Sequence, residues 1–374
     1  MASMEQFAAG FLEEPGYLDY ARVGPMSAAV THEAAAQIEL LSRARFGSLA
    51  TLFTQTERFQ QAAALTTGFR HDQIVFQPNT TTGLMHAMFG LTGGGVLLSA
   101  GDFPSGPFAA VRASEALHVV SPLWLETDHG RVTPNQVKQQ LTATTAAVAV
   151  CLVDARTGYV ADLEGIRQVI GDRLLIVDAI QGFGVIDAPY ELADVVASGG
   201  QKWARAGWGT GFLALSDRAL ERLTPVFSGF AGTDEDEVWD EVVPPSDSAR
   251  AFQVSNPDAI ALARFSAALE EINEVGVAAI ATQVSENVTR LIDLADEFTV
   301  PVTSSRDERE RAGIVVLEPV PEQLTLLTAS LHNHGVSTTT RQGTVRLSVH
   351  ARLDAETVEM LRGAFTSFSS AATY

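Results

Sequence analysis

From about residue 70 to 215, short apolar, β-branched segments alternate with stretches of helical periodicity, and that alternation leaves few architectures open. Strands are expected at Ile74 (IVFQ), Gly95 (GVLLSA), Ala146 (AAVAVCLV), Leu174 (LLIVDA), Asp194 (DVVAS) and Gly211 (GFLALS). Between them, Thr82 to Leu91, Pro107 to Leu117, Pro134 to Leu141 and Leu163 to Ile170 read as helices, several opened by Thr, Ser, Asp or Pro. A strand feeding a helix and then another strand builds a mostly parallel sheet with helices on both faces. The fold class is therefore α/β. Beyond Ser216 the pattern changes. The acidic, proline-containing stretch from Thr233 reads as a solvated loop, and Pro257 to Phe298 as one long helix or two consecutive ones. Strand-like GIVVLE and TVRLSV around a helix near Glu322 to His332 then suggest a small α+β unit. The division that follows is an N-terminal arm (1–16), a large domain (17–252) and a small C-terminal domain (253–374).

Composition narrows the function classes. Lys and Arg number 25 against 45 Asp and Glu, a net charge of −20 that repels phosphate backbones and anionic membrane surfaces. No nucleic acid and no membrane is expected as a partner. The start MASMEQFAAGFLEEPG has neither a basic segment nor a long apolar one, so a cytoplasmic location is the simplest expectation. Cys151, the single cysteine, excludes an intramolecular disulfide and a cysteine-ligated metal cluster. It sits in an apolar run and reads as a small hydrophobe in a strand. The HxH pair His332 and His334 lies at a helix end without acidic or thiol neighbours in sequence, so no metal site is expected. GWGTGF, from Gly207, enters a strand instead of leaving one, the reverse of a dinucleotide fingerprint.

Four places can carry chemistry. Asn79, Thr80, Thr81 and Thr82 lead from a strand into an apolar helix, where unpaired N–H groups and hydroxyls can cradle a phosphate; threonine there is also an ordinary helix cap. Asp178 and Gln181 stand where a buried strand leaves the sheet, the end at which open α/β sheets collect ligand-binding groups. A carboxylate after four apolar residues is costly to bury unless a cation pairs with it, though it could also cap the next turn. Lys202, between two core strands and beside Trp203, could be a desolvated amine able to form an imine. Arg346 interrupts an apolar strand, a way to present a bidentate clamp to a carboxylate.

Taken in order, these residues resemble the class V aminotransferase family of pyridoxal-phosphate (PLP) enzymes, which includes cysteine desulfurases, selenocysteine lyases and kynureninases. The resemblance runs from GYLDYARVGPMS, similar to the family's opening "YLDNAATGP", to VRLSVHARLDAETVEML, similar to its "iRiSxHxYN" strand and last helix. It implies the PLP-dependent transferase fold, PLP as cofactor, and a homodimer. It further implies that Lys202 forms the internal aldimine and that Asp178 pairs with the protonated pyridine nitrogen. Gln181 would bond the phenolic oxygen, Thr80 and Thr81 the phosphate, and the Phe103 ring would stack on the pyridine. Arg346 would hold the substrate α-carboxylate. Gln201, in the family's histidine place before the lysine, is counted with the cofactor-binding residues.

The chain departs from the family at several of these positions. Gly199 stands where the family has serine, Gln201 where it has histidine, and Ala155 where it has the asparagine of "SNxxG"; His350 is followed by Ala351, Arg352 and Leu353, without the asparagine of "HxYN". Arg156 has no assigned role. No cysteine lies between Leu331 and Val345, where the desulfurases of the family carry their nucleophile. The expectation is a PLP-dependent aminotransferase acting on a small amino acid. A cysteine-independent C–S or other β-lyase is the alternative, with a non-catalytic PLP-binding homologue behind it.

Overall fold

The computed structural model describes residues 3–235 and 239–372. Seven strands form the larger sheet: β1 (Ile74–Phe76), β2 (Gly94–Leu98), β3 (Val120–Trp124), β4 (Thr145–Cys151), β5 (Leu174–Asp178), β6 (Val195–Gly199) and β7 (Gly211–Leu215). Their order is β1-β7-β6-β5-β4-β2-β3, and only β7 runs against its neighbours. The central strands β5, β6 and β7 are buried along their whole length, as expected for a sheet covered on both faces. Two separate apolar clusters flank the sheet: alternate residues of β5, Leu175 and Val177 against Leu174 and Ile176, enter opposite ones.

The second sheet has three antiparallel strands, β8 (Ile314–Leu317), β10 (Thr344–Ser348) and β9 (Thr339–Arg341), in the order β8-β10-β9. Its apolar residues join the same cluster as one face of the larger sheet, so the core is continuous between them. The chain near the N-terminus ties into this sheet as well, with bridges from Tyr17 to Ser337 and from Asp19 to Ser348. The stretch expected as one or two helices is two, Ala259–Val275 and Val277–Glu297, divided at Gly276. The acidic segment from Thr233 to Ser248 forms neither helix nor strand in its described residues, and 236–238 lie outside them. Among the described residues no helix is long and apolar enough to cross a membrane.

Several element assignments change, among them the start of the helix expected from Pro107, which begins at Ser105, and the short strand β9. The sequence does not signal β3, because it contains Pro122 and is mostly half-exposed or exposed at the sheet edge, which hides the apolar run that marks the other strands. The helix expected from Thr82 begins at Thr80, since Asn79 is its cap and accepts from the Thr82 N–H. That shift places Thr80 and Thr81 in the first turn, where backbone donors are free.

Candidate active site

The parallel strands end at one edge of the sheet, and the turns there converge on a cavity of about 190 Å³. Thr80, Thr81, Phe103, Asp178, Gln181, Gln201, Lys202 and Arg346 all line it. Residues scattered over more than 260 positions of sequence are thus brought to one place by the strand ends and by β10.

Asp178 closes β5 and is 5% exposed. Its Oδ1 accepts from the Ile180 N–H at 3.1 Å, while Oδ2 is buried without a hydrogen-bond partner. Burial pushes its carboxyl up to about 6, opposed by the Ile180 hydrogen bond and the Lys202 charge. Lys202, 8% exposed, lies in the turn between β6 and β7 with Nζ 5.2 Å from the Phe103 ring centroid. Burial lowers its ammonium to about 8, with Asp178 pulling the other way. Such an amine gives up its proton far more readily than a solvated lysine.

The turn that carries Lys202 is fixed from several sides. His350 Nε2 donates to the Trp203 carbonyl at 2.9 Å, and its Nδ1 accepts from the Ala351 N–H. Burial lowers the His350 imidazole to about 3, so it stays neutral in this role. Trp203 Nε1 in turn donates to Gln181 Oε1 at 2.9 Å, and Gln181 Nε2 donates to the Ala21 carbonyl at 2.9 Å. Gln181 therefore reaches the cavity with its oxygen engaged and one N–H of its amide still free.

At the other end, Thr80 Oγ and Gln201 Oε1 are buried with no partner, and Thr81 Oγ lies 2.7 Å from Ser105 Oγ at the mouth. A side-chain β-carbon at Gly199 would stand 2.3 Å from Gln201 Oε1 and 3.1 Å from Thr80 Oγ. The missing side chain at 199 is the space that Gln201 occupies.

Arg346, 8% exposed, donates from one terminal nitrogen to the Ala155 carbonyl at 2.8 Å, and its other terminal nitrogen lies 3.9 Å from Asp19 Oδ1. Asp19 is held by Thr339 Oγ at 2.6 Å. The carbonyl of Ala155 thus positions the guanidinium, whatever side chain that residue carries.

Cys151 ends β4 in register with Asp178 and borders a small void with Asp102, Phe103 and Asp178. Burial raises its thiol well above the ordinary range, so it remains a protonated wall group. Sequence reasoning missed Asp102, Arg22, Trp208 and Arg341, which also border this cavity or the void beneath it. Arg341 sits in an exposed hairpin whose sequence signals only a turn. Asp102 precedes Phe103, and burial together with the Asp154 and Asp178 charges raises it to about 7. Among the described residues no cluster of three or more His, Cys, Asp or Glu is placed to hold a metal ion.

The residues present fit the phosphorylated pyridine aldehyde that the resemblance implies. An unpartnered carboxylate oxygen suits a pyridinium N–H, an aromatic face suits the ring, and an unpaired hydroxyl at a helix N-terminus suits the phosphate. The buried Gln201 amide meets a phosphate best with its nitrogen turned inward, an orientation equivalent in shape.

Comparison with known proteins places the chain in a family and a fold. The profile of the family described as "Aminotransferase class-V" matches residues 32–371. A kynureninase of Deinococcus radiodurans is 26% identical over 235 residues, 60% of this chain and 56% of that protein, so the match spans just over half of the relative's length. Among solved structures, the apo cysteine desulfurase of Thermococcus onnurineus superposes with a TM-score of 0.87 at 21% identity, covering 99% of each chain. The cystine C–S lyase C-DES gives 0.82 at 17% identity, covering 94% of this chain and 98% of that one. At these identities the two structures speak for the fold.

Proposed function

The chain belongs to the class-V aminotransferase family and is a PLP-dependent enzyme; from the groups around Lys202 we propose that it is an aminotransferase acting on a small amino acid. One observation carries the reading: a lysine with an acidified ammonium and a half-unpartnered buried aspartate face one cavity that also holds an arginine clamp. When bound, PLP supplies the carbonyl that captures an amino group and the electron-poor ring that stabilises negative charge at the α-carbon.

The chain's own residues supply the rest. Asp178 Oδ2 holds the proton on the ring nitrogen, and that pairing offsets the cost of burying the carboxylate. Thr80, Thr81 and Gln201 anchor the phosphate, and the free amide hydrogen of Gln181 is available to the phenolic oxygen. The Phe103 ring covers one face and excludes water there. Arg346 takes the α-carboxylate in a fork, which fixes the α-carbon relative to Lys202. Lys202 Nζ, poised near neutrality, moves the proton to and from that carbon.

Cys151 is half-buried with its thiol held protonated, and the hairpin before Arg346 carries no thiol, so a route through an enzyme persulfide has no ready nucleophile. A β-lyase that needs no cysteine is the second reading, favoured by the fold shared with C-DES. The test is to mix the holoenzyme with amino acids and a 2-oxo acid, following cofactor absorbance and products together. Exchange of the amino group supports transamination, and release of pyruvate with sulfide or a thiol supports the lyase. A chain that never binds PLP, or a Lys202→Ala variant that still forms the imine, overturns both. The reading extends to a homodimer, supported by the exposed Trp208 and Phe103 rings at the cavity mouth, and to the division into 1–16, 17–252 and 253–374.

A further inference from the structure

A second cavity, about 770 Å³, adjoins the first and shares Phe103, Ala155, Arg341 and Arg346 with it. Its walls also carry Arg156 and Asp102. Arg341 lies on β9 and Arg346 on β10, in a register that sets Thr339 opposite Arg346 and Arg341 opposite Thr344. Because side chains alternate along a strand, Thr339 and Arg341 project to one side, and Arg346 projects to that same side. The two arginines are therefore diagonal neighbours on one face of the small sheet, with backbones about 7–8 Å apart.

Arg346 is tied to Ala155 and Asp19, whereas the Arg341 guanidinium makes no hydrogen bond or ion pair among the described residues. Its charge is nevertheless close enough to disfavour protonation of both Lys202 and Arg346. Like charges gathered at a cavity wall are unfavourable. Asp19, the carboxylate whose charge reaches both arginines, lies 3.9 Å from Arg346 and offsets part of this repulsion, and an anion between the two guanidinium groups relieves the remainder.

The opposite wall is prepared in the same sense. Arg156 packs between two glycines: a β-carbon at Gly101 would stand 2.8 Å, and one at Gly130 2.7 Å, from its terminal nitrogen. Its side chain reaches Asp154 only at 3.5 Å, and Asp154 Oδ1 already accepts from Arg156 N, Thr157 N and Thr157 Oγ. The Oδ1 of that carboxylate is engaged by its own turn, and among the described residues Oδ2 is left to Arg156 alone. Asp102 is the second acid on this wall, and the Arg156 charge acts on it too.

We propose that the larger cavity receives the side-chain carboxylate of an acidic amino acid, with Arg341 as its anchor and Arg156 lining the far side. The inference rests on the reading of Arg346 as the α-carboxylate clamp and adds the substrate class. A diagonal pair of arginines matches the two acid groups of a short dicarboxylic amino acid, one on each guanidinium.

The test uses acids without an amino group, which occupy the site but cannot react. Succinate and butyrate are titrated by calorimetry into the holoenzyme, the Arg341→Gln variant and the Arg156→Gln variant. Succinate is expected to bind about tenfold more tightly than butyrate to the unaltered enzyme. Arg341→Gln is expected to bring the two within about twofold, and Arg156→Gln to reduce the ratio by a smaller factor. Equal affinity for the two acids, or a ratio that survives Arg341→Gln, overturns the inference while leaving the clamp reading of Arg346 intact. If neither acid binds, the inference falls too, and the wider reading is judged separately by whether amino acids change the cofactor absorbance.

Discussion

Two buried aspartates mark opposite ends of the same sheet. Asp194, 3% exposed, precedes β6, and both its oxygens are occupied: Arg167, Arg218, Ser216 and the Leu175 N–H all donate to it within 3.1 Å. Asp178, 5% exposed, closes β5 with one oxygen bonded and the other bare. Burial costs both carboxylates their hydration. At Asp194 the protein replaces that hydration completely, whereas at Asp178 it leaves half the work to something else. The difference separates a carboxylate satisfied by the fold from one proposed to be satisfied by a ligand, and neither burial nor residue type alone would reveal it.

The largest expected effect lies at the ligand end. Lys202→Ala should lower turnover by ~10³-fold or more, since it removes the group proposed to move the α-proton. The same variant should show no loss of thermal stability, because an amine that burial disfavours in its charged form has been removed. A large fall in melting temperature together with residual turnover would make Lys202 a structural residue and break the comparison.

At the other end the order reverses. Asp194→Ala should cost about 3–4 kcal/mol in denaturant unfolding, because it strands Arg167 and Arg218 together with the Leu175 N–H. Protein that survives folding should keep its cofactor affinity. An Asp194→Ala protein of normal stability would mean that the network contributes little.

Asp178→Asn tests the incomplete carboxylate. In the apo-protein the folded carboxyl binds its proton up to about 6, well above the unfolded 3.8. Below about 3 the acid is neutral in both states and carries no penalty. As pH rises from about 3 to 6, the unfolded chain ionises first and stability is lost. The variant should therefore match the parent near pH 3 and exceed it by up to roughly 3 kcal/mol above pH 6. PLP affinity should fall in the same variant. A constant stability difference across this pH range would place the Asp178 carboxyl in a far more hydrated setting.

Much of this contrast can be read in the sequence. Apolar strands with an acid at the carboxyl end, a lysine between core strands and an arginine in a C-terminal strand each have a local signature, and their order points to the family. What stays hidden depends on contacts between distant segments. Arg341 looks like any hairpin charge until the β9–β10 register sets it beside Arg346. Gln181 offers two hydrogen-bonding groups in sequence, but Trp203 and Ala21 take one of each. The edge strand β3 lacks a continuous apolar run because its environment does not require one.

Gly199 and Gln201 give the smallest effect and the sharpest test of how the ligand end is completed. In sequence they are two independent departures, a glycine for serine and a glutamine for histidine. In space they are one exchange, because a β-carbon at 199 would sit 2.3 Å from Gln201 Oε1. Gly199→Ser alone should push the glutamine away from Thr80 and weaken PLP binding by about 1 kcal/mol, a factor of about five, in an absorbance titration of the apo-protein. Gly199→Ser with Gln201→His should recover most of that loss, since the serine then has its usual neighbour. The double-mutant cycle measures the coupling directly, and additive effects of the two substitutions would show that they are unrelated. A favourable coupling would mean that this chain anchors the phosphate with a neutral amide in the space of an absent hydroxyl.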